Sequence, residues 1–125
     1  MTTTAASKQA LGAYGEDVAA RYLVEQGMVL LDRNWRSTED PVGEVDLVLR
    51  HGDVMVVCEV KTRTSEDYGT PHEAVDEAKV ERLRGLARRW AEVHGATPPE
   101  TRVDVVAVLR PPRGAARVEH VVGVG

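Results

Sequence analysis

Val54 to Thr62 reads VMVVCEVKT, and the way these residues divide decides the fold. Side chains alternate across a strand, so Met55, Val57, Glu59 and Lys61 share one face. Val54, Val56, Cys58, Val60 and Thr62 share the other. Both faces begin apolar, which is the pattern of a central strand covered on both sides. A carboxylate and an ammonium at the end of such a strand are costly unless they pair, bind a metal or meet solvent. From the strand alone two readings stay open: Glu59 and Lys61 neutralise each other at the rim of the sheet, or they belong to a site.

The preceding segment, a strand expected over Glu44 to Arg50, follows Gly43 in the run GEVDLVLR. A lone Asp46 among apolar residues is unfavourable by strand propensity. His51-Gly52-Asp53 makes a short turn, so the two segments predict a hairpin. Pairing His51 with Asp53 or Val54 sets Asp46 near Cys58 or Glu59. Two carboxylates held together repel one another and invite a divalent cation. Carboxylate oxygens completed by water and phosphate suit Mg²⁺ or Mn²⁺, one ion or two. A lysine two residues on is placed to stabilise phosphate charge or to position an attacking water.

Working outward, Leu11, Tyr14, Val18 and Tyr22 recur at three- and four-residue steps, predicting an amphipathic helix from Ser7 to Gln26 ended by Gly27. A strand is expected over Met28 to Arg33, then a polar loop from Ser37 to Gly43. Thr64 to Thr70 reads as a loop. Pro71 suits the start of a second helix running to His94, stopped by Gly95 and Pro98-Pro99. Strands over Arg102 to Leu109 and Arg117 to Val124 close the chain. The order α-β-β-β-α-β-β predicts an α/β sandwich with a mixed five-stranded sheet flanked by helices. Residues 1–6 are expected to be a flexible tail and 7–125 a single domain.

The chain has 125 residues, 42% hydrophobic and 29% charged, with 16 Lys+Arg against 20 Asp+Glu. That balance argues against disorder and fits one core. The single Cys58 excludes an internal disulfide, and no apolar run approaches the roughly 20 residues that span a bilayer. The expectation is a soluble, cytoplasmic protein with no membrane partner. Net acidity alone argues mildly against nucleic acid. However, Glu16, Glu44, Asp46 and Glu59 together equal the whole acidic excess of four charges.

The arrangement Asp46…Glu59-Val60-Lys61 resembles the PD-(D/E)XK nuclease core of restriction endonucleases and Holliday-junction resolvases. The flanking text GAYGEDVAARYL, GEVDLV and CEVKTR, followed by a long helix, is similar to the YraN family of predicted endonuclease-like bacterial proteins. The similarity covers about Leu11 to Leu109. It implies a restriction-endonuclease-like sandwich and a metal-dependent endonuclease acting on DNA, including branched or junction DNA. It further implies that Asp46, Glu59 and the Val60 carbonyl hold Mg²⁺ or Mn²⁺. Lys61 would be the catalytic lysine, and Glu16 a supplementary acidic residue from the first helix. Val45 rather than Pro precedes Asp46. Resolvases that resemble this chain act as dimers, so a homodimer is a further expectation. The alternative is a nuclease fold kept as a non-catalytic nucleic-acid-binding or DNA repair/uptake accessory protein.

Several residues carry supporting readings. Glu16 neighbours the buried helical stripe, either pointing over a sheet edge or simply solvated. Gly12 and Gly15 fit close approach of a backbone or a phosphate, and equally tight helix–sheet packing. Glu44, one strand step before Asp46, is a contributing ligand or a strand-entry residue. Lys79 borders the Leu83, Leu86, Trp90 stripe and needs a partner, either Glu59 or a substrate phosphate. The chain has 13 Arg and 3 Lys, so two lysines at these positions stand out. Arg36 and Arg63 flank the site as phosphate contacts, while Arg82, Arg84, Arg88 and Arg89 read as a charged helix face. Trp35 would stack on an unpaired base or cap the core. His51, His72, His94 and His120 lack ligand spacing, so no zinc site is expected, and His72 alone is placed to reach the site. Cys58 faces away from Glu59 and is not expected to act as a nucleophile.

Overall fold

The computed structural model describes residues 5–64 and 75–124. Its elements run α1 (Ala5–Glu25), β1 (Val29–Ser37), β2 (Gly43–His51), β3 (Val54–Arg63), α2 (Glu77–His94), β4 (Glu100–Leu109) and β5 (Arg117–Val121). The expected α-β-β-β-α-β-β order is therefore present, as a five-stranded mixed sheet with strands in the order β1-β2-β3-β4-β5. Only β3 and β4 are parallel; the other neighbours are antiparallel. Among the described residues no helix is long and apolar enough to cross a membrane.

The central strand is β3, covered on both faces as its alternation requires. Met55 and Val57 pack with Val80, Leu83, Leu86 and Trp90 of α2. Val56 and Cys58 pack with Ala19, Ala20 and Leu23 of α1. Burying this many branched side chains supplies the main stabilisation, at about 1.5–3 kcal/mol for each fully buried Val or Leu.

The deepest contact of α1 is made by Gly15, Ala19, Ala20 and Leu23, while Tyr14, Val18 and Tyr22 lie partly buried beside them. The large-residue stripe read from sequence is thus displaced, because small residues let the helix axis approach the sheet. Gly15 shows why: a Cβ there would sit 1.7 Å from Thr62 Oγ1. Gly12 meets nothing within 4 Å, so the tight-packing reading holds for Gly15 alone. Gly27, at φ 98°, donates to Val24 O while Met28 N donates to Leu23 O. That pair of bonds satisfies the last carbonyls of the helix.

Several boundaries differ from the sequence expectation, among them the start of α1, which takes in Ala5 and Ala6 of the expected tail, and the start of β4 at Glu100 rather than Arg102. β1 continues to Ser37, four residues beyond Arg33, and so takes in Trp35 and Arg36. Its pairing with β2 carries it through Asn34, which adopts φ 51°. α2 begins at Glu77, with Asp76 in extended conformation accepting the Lys79 N–H on its side chain. A side-chain cap, rather than a proline, starts the helix. Pro71, His72 and residues 65–70 of the expected loop lie outside the described residues, as do 1–4 of the expected tail. β5 ends at Val121. Beyond it Val124 N donates to Val103 O at 2.9 Å.

Candidate active site

The hairpin of β2 and β3 is a fork. Its ladder runs from His51↔Val54 to Leu47↔Cys58 and stops there, whereas β3 continues pairing with β4 as far as Arg63↔Leu109. At the next step Asp46 Oδ2 accepts the Val60 N–H at 2.8 Å. A side-chain carboxylate thus takes the donor that a strand carbonyl would otherwise take. The alternation of β2 also breaks here: Val45 buries on the α2 side and Leu47 on the α1 side. On β1, the residue between Arg33↔Leu47 and Trp35↔Val45 is Asn34, in its left-handed conformation. Asp46 therefore stands where the sheet bends and opens.

Glu59 follows on β3, with only 8% of its surface exposed. Its Oε1 lies 2.9 Å from Lys79 Nζ and 3.4 Å from Lys61 Nζ. The anticipated carboxylate partner of Lys79 is thus Glu59, reached from the first turn of α2. Glu44, Asp46, Glu59, Lys79 and Arg82 line one cleft of about 260 Å³, with Gly43, Leu83 and Leu86. Burial, then the nearby Glu59 charge, then Glu16 and Glu44 raise the Asp46 carboxyl from 3.8 to about 7, against the pull of the Val60 N–H.

The remaining expected residues are distributed as follows. Glu16 is half-buried on α1, 3.7 Å from Arg33 on the edge strand β1, close enough to influence Asp46 but outside the cleft lining. Glu44 lines the cleft and pairs with exposed Arg36 across β1 and β2 at 2.9 Å. Arg63 closes β3 and its carbonyl accepts the Arg110 N–H. Trp35, read as either a base-stacking or a core-capping residue, is partly buried against the α2-side core. Cys58 is fully buried on the α1 side. Burial, with Asp104, Asp46 and Glu59 nearby, pushes its thiol well up, so it stays protonated.

Among the described residues no three His, Cys, Asp or Glu side chains group as metal ligands. Mg²⁺ is commonly held by only one or two carboxylates, with water and phosphate completing its shell. Asp46, Glu59 and the carbonyl of Val60 offer that kind of hard oxygen set. The charge distribution suits it too, because both lysines sit on Glu59 while Asp46 takes only a neutral amide in these contacts.

Two features escaped the sequence reading. Arg82, expected on the charged helix face, lines the cleft one turn after Lys79, and its i,i+3 spacing from Lys79 is the sequence signal for that placement. Asp104, fully buried on β4, accepts from Arg102 Nε at 2.8 Å, Arg102 Nη2 at 3.0 Å and Gly123 N at 3.0 Å. His120 Nε2 lies 2.7 Å from its Oδ2. Burial pushes the Asp104 carboxyl up, but Arg102, the Gly123 N–H and His120 outweigh it and hold it below its ordinary value. This network ties β5 and the segment after it to the sheet on the side away from Glu59.

The chain resembles proteins from several bacteria along nearly its whole length. It is 61% identical over 127 residues to a UPF0102 protein of Nocardioides sp. (strain ATCC BAA-499 / JS614), covering 100% of both chains. It is 55% identical over 119 residues to a UPF0102 protein of Beutenbergia cavernae, covering 95% of this chain and 98% of that one. A UPF0102 protein of Kineococcus radiotolerans is also 55% identical over 119 residues, covering 94% and 95%. The model of Uncharacterised protein family UPF0102 matches residues 15–108, a span that holds Glu16, the fork, both lysines and all of β4 but its last residue. The chain belongs to the UPF0102 family, also called the YraN family.

Proposed function

We propose that this chain is a metal-dependent endonuclease that hydrolyses phosphodiester bonds in DNA, with branched or junction DNA as the preferred class. The observation that carries the reading is the fork itself. Asp46 and Glu59 stand at the opening of β2 from β3, with Lys61 on the same strand and face as Glu59. Asp46, Glu59 and the Val60 carbonyl would hold Mg²⁺ or Mn²⁺. Such an ion, when bound, makes a water nucleophilic near neutral pH and offsets charge on the phosphate. Lys61 contributes an ammonium that orients the nucleophile or meets the developing charge. Arg82, which lines the cleft, would hold the phosphate backbone together with Arg36 and Arg63. Glu16 contributes negative charge from α1 and tunes Asp46. With DNA as substrate the activity belongs in the cytoplasm, and a two-fold junction would be met by a homodimer.

The test is cleavage of duplex, flap, junction and single-stranded DNA with Mg²⁺ or Mn²⁺, comparing wild type with Asp46→Ala and Lys61→Ala. Loss of cleavage in both variants supports the reading; equal activity in all three overturns it. The second reading is a non-catalytic DNA-binding accessory protein, favoured by the engagement of Glu59 with two lysines. It requires salt-dependent binding to structured DNA that persists in Asp46→Ala without cleavage by wild type.

A further inference from the structure

Two ammonium groups share one oxygen of Glu59, and they are not equivalent. Lys61 belongs to the same strand, two residues on, and lies 3.4 Å away. Lys79 reaches across the cleft from α2 and makes the closer contact, at 2.9 Å. The backbone beneath it is anchored independently, because the Asp76 side chain accepts the Lys79 N–H at 2.8 Å. Its side chain is 31% exposed while that of Glu59 is 10% exposed. The lysine can therefore leave without moving the helix, whereas the carboxylate is held in place. Three carboxylates, Glu44, Asp46 and Glu59, line this cleft, with Lys79 and Arg82 as its cations.

A divalent ion held by Glu59 and Asp46 would approach the oxygen that Lys79 occupies. Two ammonium groups and a divalent ion around the same two carboxylates would leave a net positive charge in a half-buried cleft, which is unfavourable. The group able to relieve it is the one with a long, partly exposed stem.

We propose that Lys79 is a built-in counter-cation, which holds Glu59 while no divalent ion is bound and is released from it toward the cleft mouth when one binds. This rests on the metal-site reading above and deepens it: ion occupancy becomes an exchange of one cation for another rather than the filling of a vacant cage.

The experiment is a Mn²⁺ titration followed by electron paramagnetic resonance of the free ion, at fixed ionic strength. It compares wild type with Lys79→Met, Lys79→Arg and Arg82→Met. A partly exposed ion pair of this kind corresponds to a tightening of about fivefold for Lys79→Met. Lys79→Arg, which keeps the charge, should stay near wild type. Arg82→Met removes the same charge from the cleft without touching Glu59, and should stay within about twofold of wild type. Thermal melting with and without Mn²⁺ accompanies each chain, and Lys79→Gln replaces the methionine variant if that fails to fold. Unchanged or weaker binding in the uncharged Lys79 variant, or an equal gain in Arg82→Met, overturns the exchange while leaving the metal site standing. No Mn²⁺ binding by any chain, wild type included, overturns both.

Discussion

Val60 N–H donates to Asp46 Oδ2 at 2.8 Å, so the last rung between β2 and β3 is made by a carboxylate. The substitution of side chain for backbone both opens the strands and fixes an acid at the opening. It also leaves that acid with a neutral donor, next to Glu59 and near Glu16 and Glu44. The cleft is in this sense electrostatically unfinished, and the cost should be measurable.

The first prediction concerns that cost. Burial first, then neighbouring carboxylates, raise Asp46 from 3.8 to about 7 on folding. The folded state therefore binds a proton more tightly than the unfolded chain, and stability falls as pH rises between those two values. In chelator, the melting temperature should drop by several degrees from pH 5 to pH 8. Asp46→Asn should flatten that slope and melt higher than wild type at pH 8. A wild-type curve that rises over the same interval would refute this.

Asp104 behaves in the opposite sense. Its carboxyl is held below its ordinary value, so its contribution is complete above the unfolded value and lost as pH falls through the lower folded one. Removing Arg102 leaves this fully buried carboxylate without its two-pronged partner. Arg102→Met should cost about 3 kcal/mol in urea unfolding at pH 7. A loss below about 0.5 kcal/mol, typical of an exposed pair, would contradict the account.

Packing of α1 against β3 gives a third expectation. Gly15→Ala would place its Cβ 1.7 Å from Thr62 Oγ1 and 2.8 Å from Thr62 Cβ. Ordinarily alanine favours a helix over glycine by about 1 kcal/mol. Here overpacking should reverse the sign, with a net loss of about 1–3 kcal/mol. Adding Thr62→Ala should recover only part, because the Cβ contact remains. A stabilised single variant would show that the helix shifts freely.

Thiol chemistry supplies a fourth. Cys58 is buried and its thiol is pushed well up by burial and by Asp104, Asp46 and Glu59. A disulfide reagent should therefore label it at the rate of unfolding and no faster. Rapid labelling of the native chain would require an opening of the α1 side.

The hairpin and its site were legible in the sequence because they rest on alternation and on one glycine turn. The faces of Met55, Val57 and Glu59 against Val56 and Cys58 followed from period two, and the structure keeps that division. Asn34-Trp35-Arg36 was not legible as strand. Its polar residues end the apolar pattern, and a left-handed Asn34 bridges the gap only through pairing with β2. At α2 the start expected at Pro71 lies outside the described residues, and the described helix begins after a side-chain cap at Asp76. Asp104 carried the same signal as Asp46, a lone acid among valines. Its partner Arg102 lies two residues earlier on the same face, and no motif surrounds the pair to single it out.

Strand order in the sheet is the same as order along the chain, and this has a consequence for how the molecule assembles. Each strand finds its neighbour next in sequence, which keeps contact order low for a mixed sheet and favours rapid folding. Both carboxylates lie within one contiguous hairpin, while Lys79 arrives only when α2 docks. The acids can therefore be brought together with Lys61 alone to offset them, before the closer cation on α2 arrives, so an early hairpin should be weakened by their residual repulsion. Added divalent cation should then speed folding as well as slow unfolding.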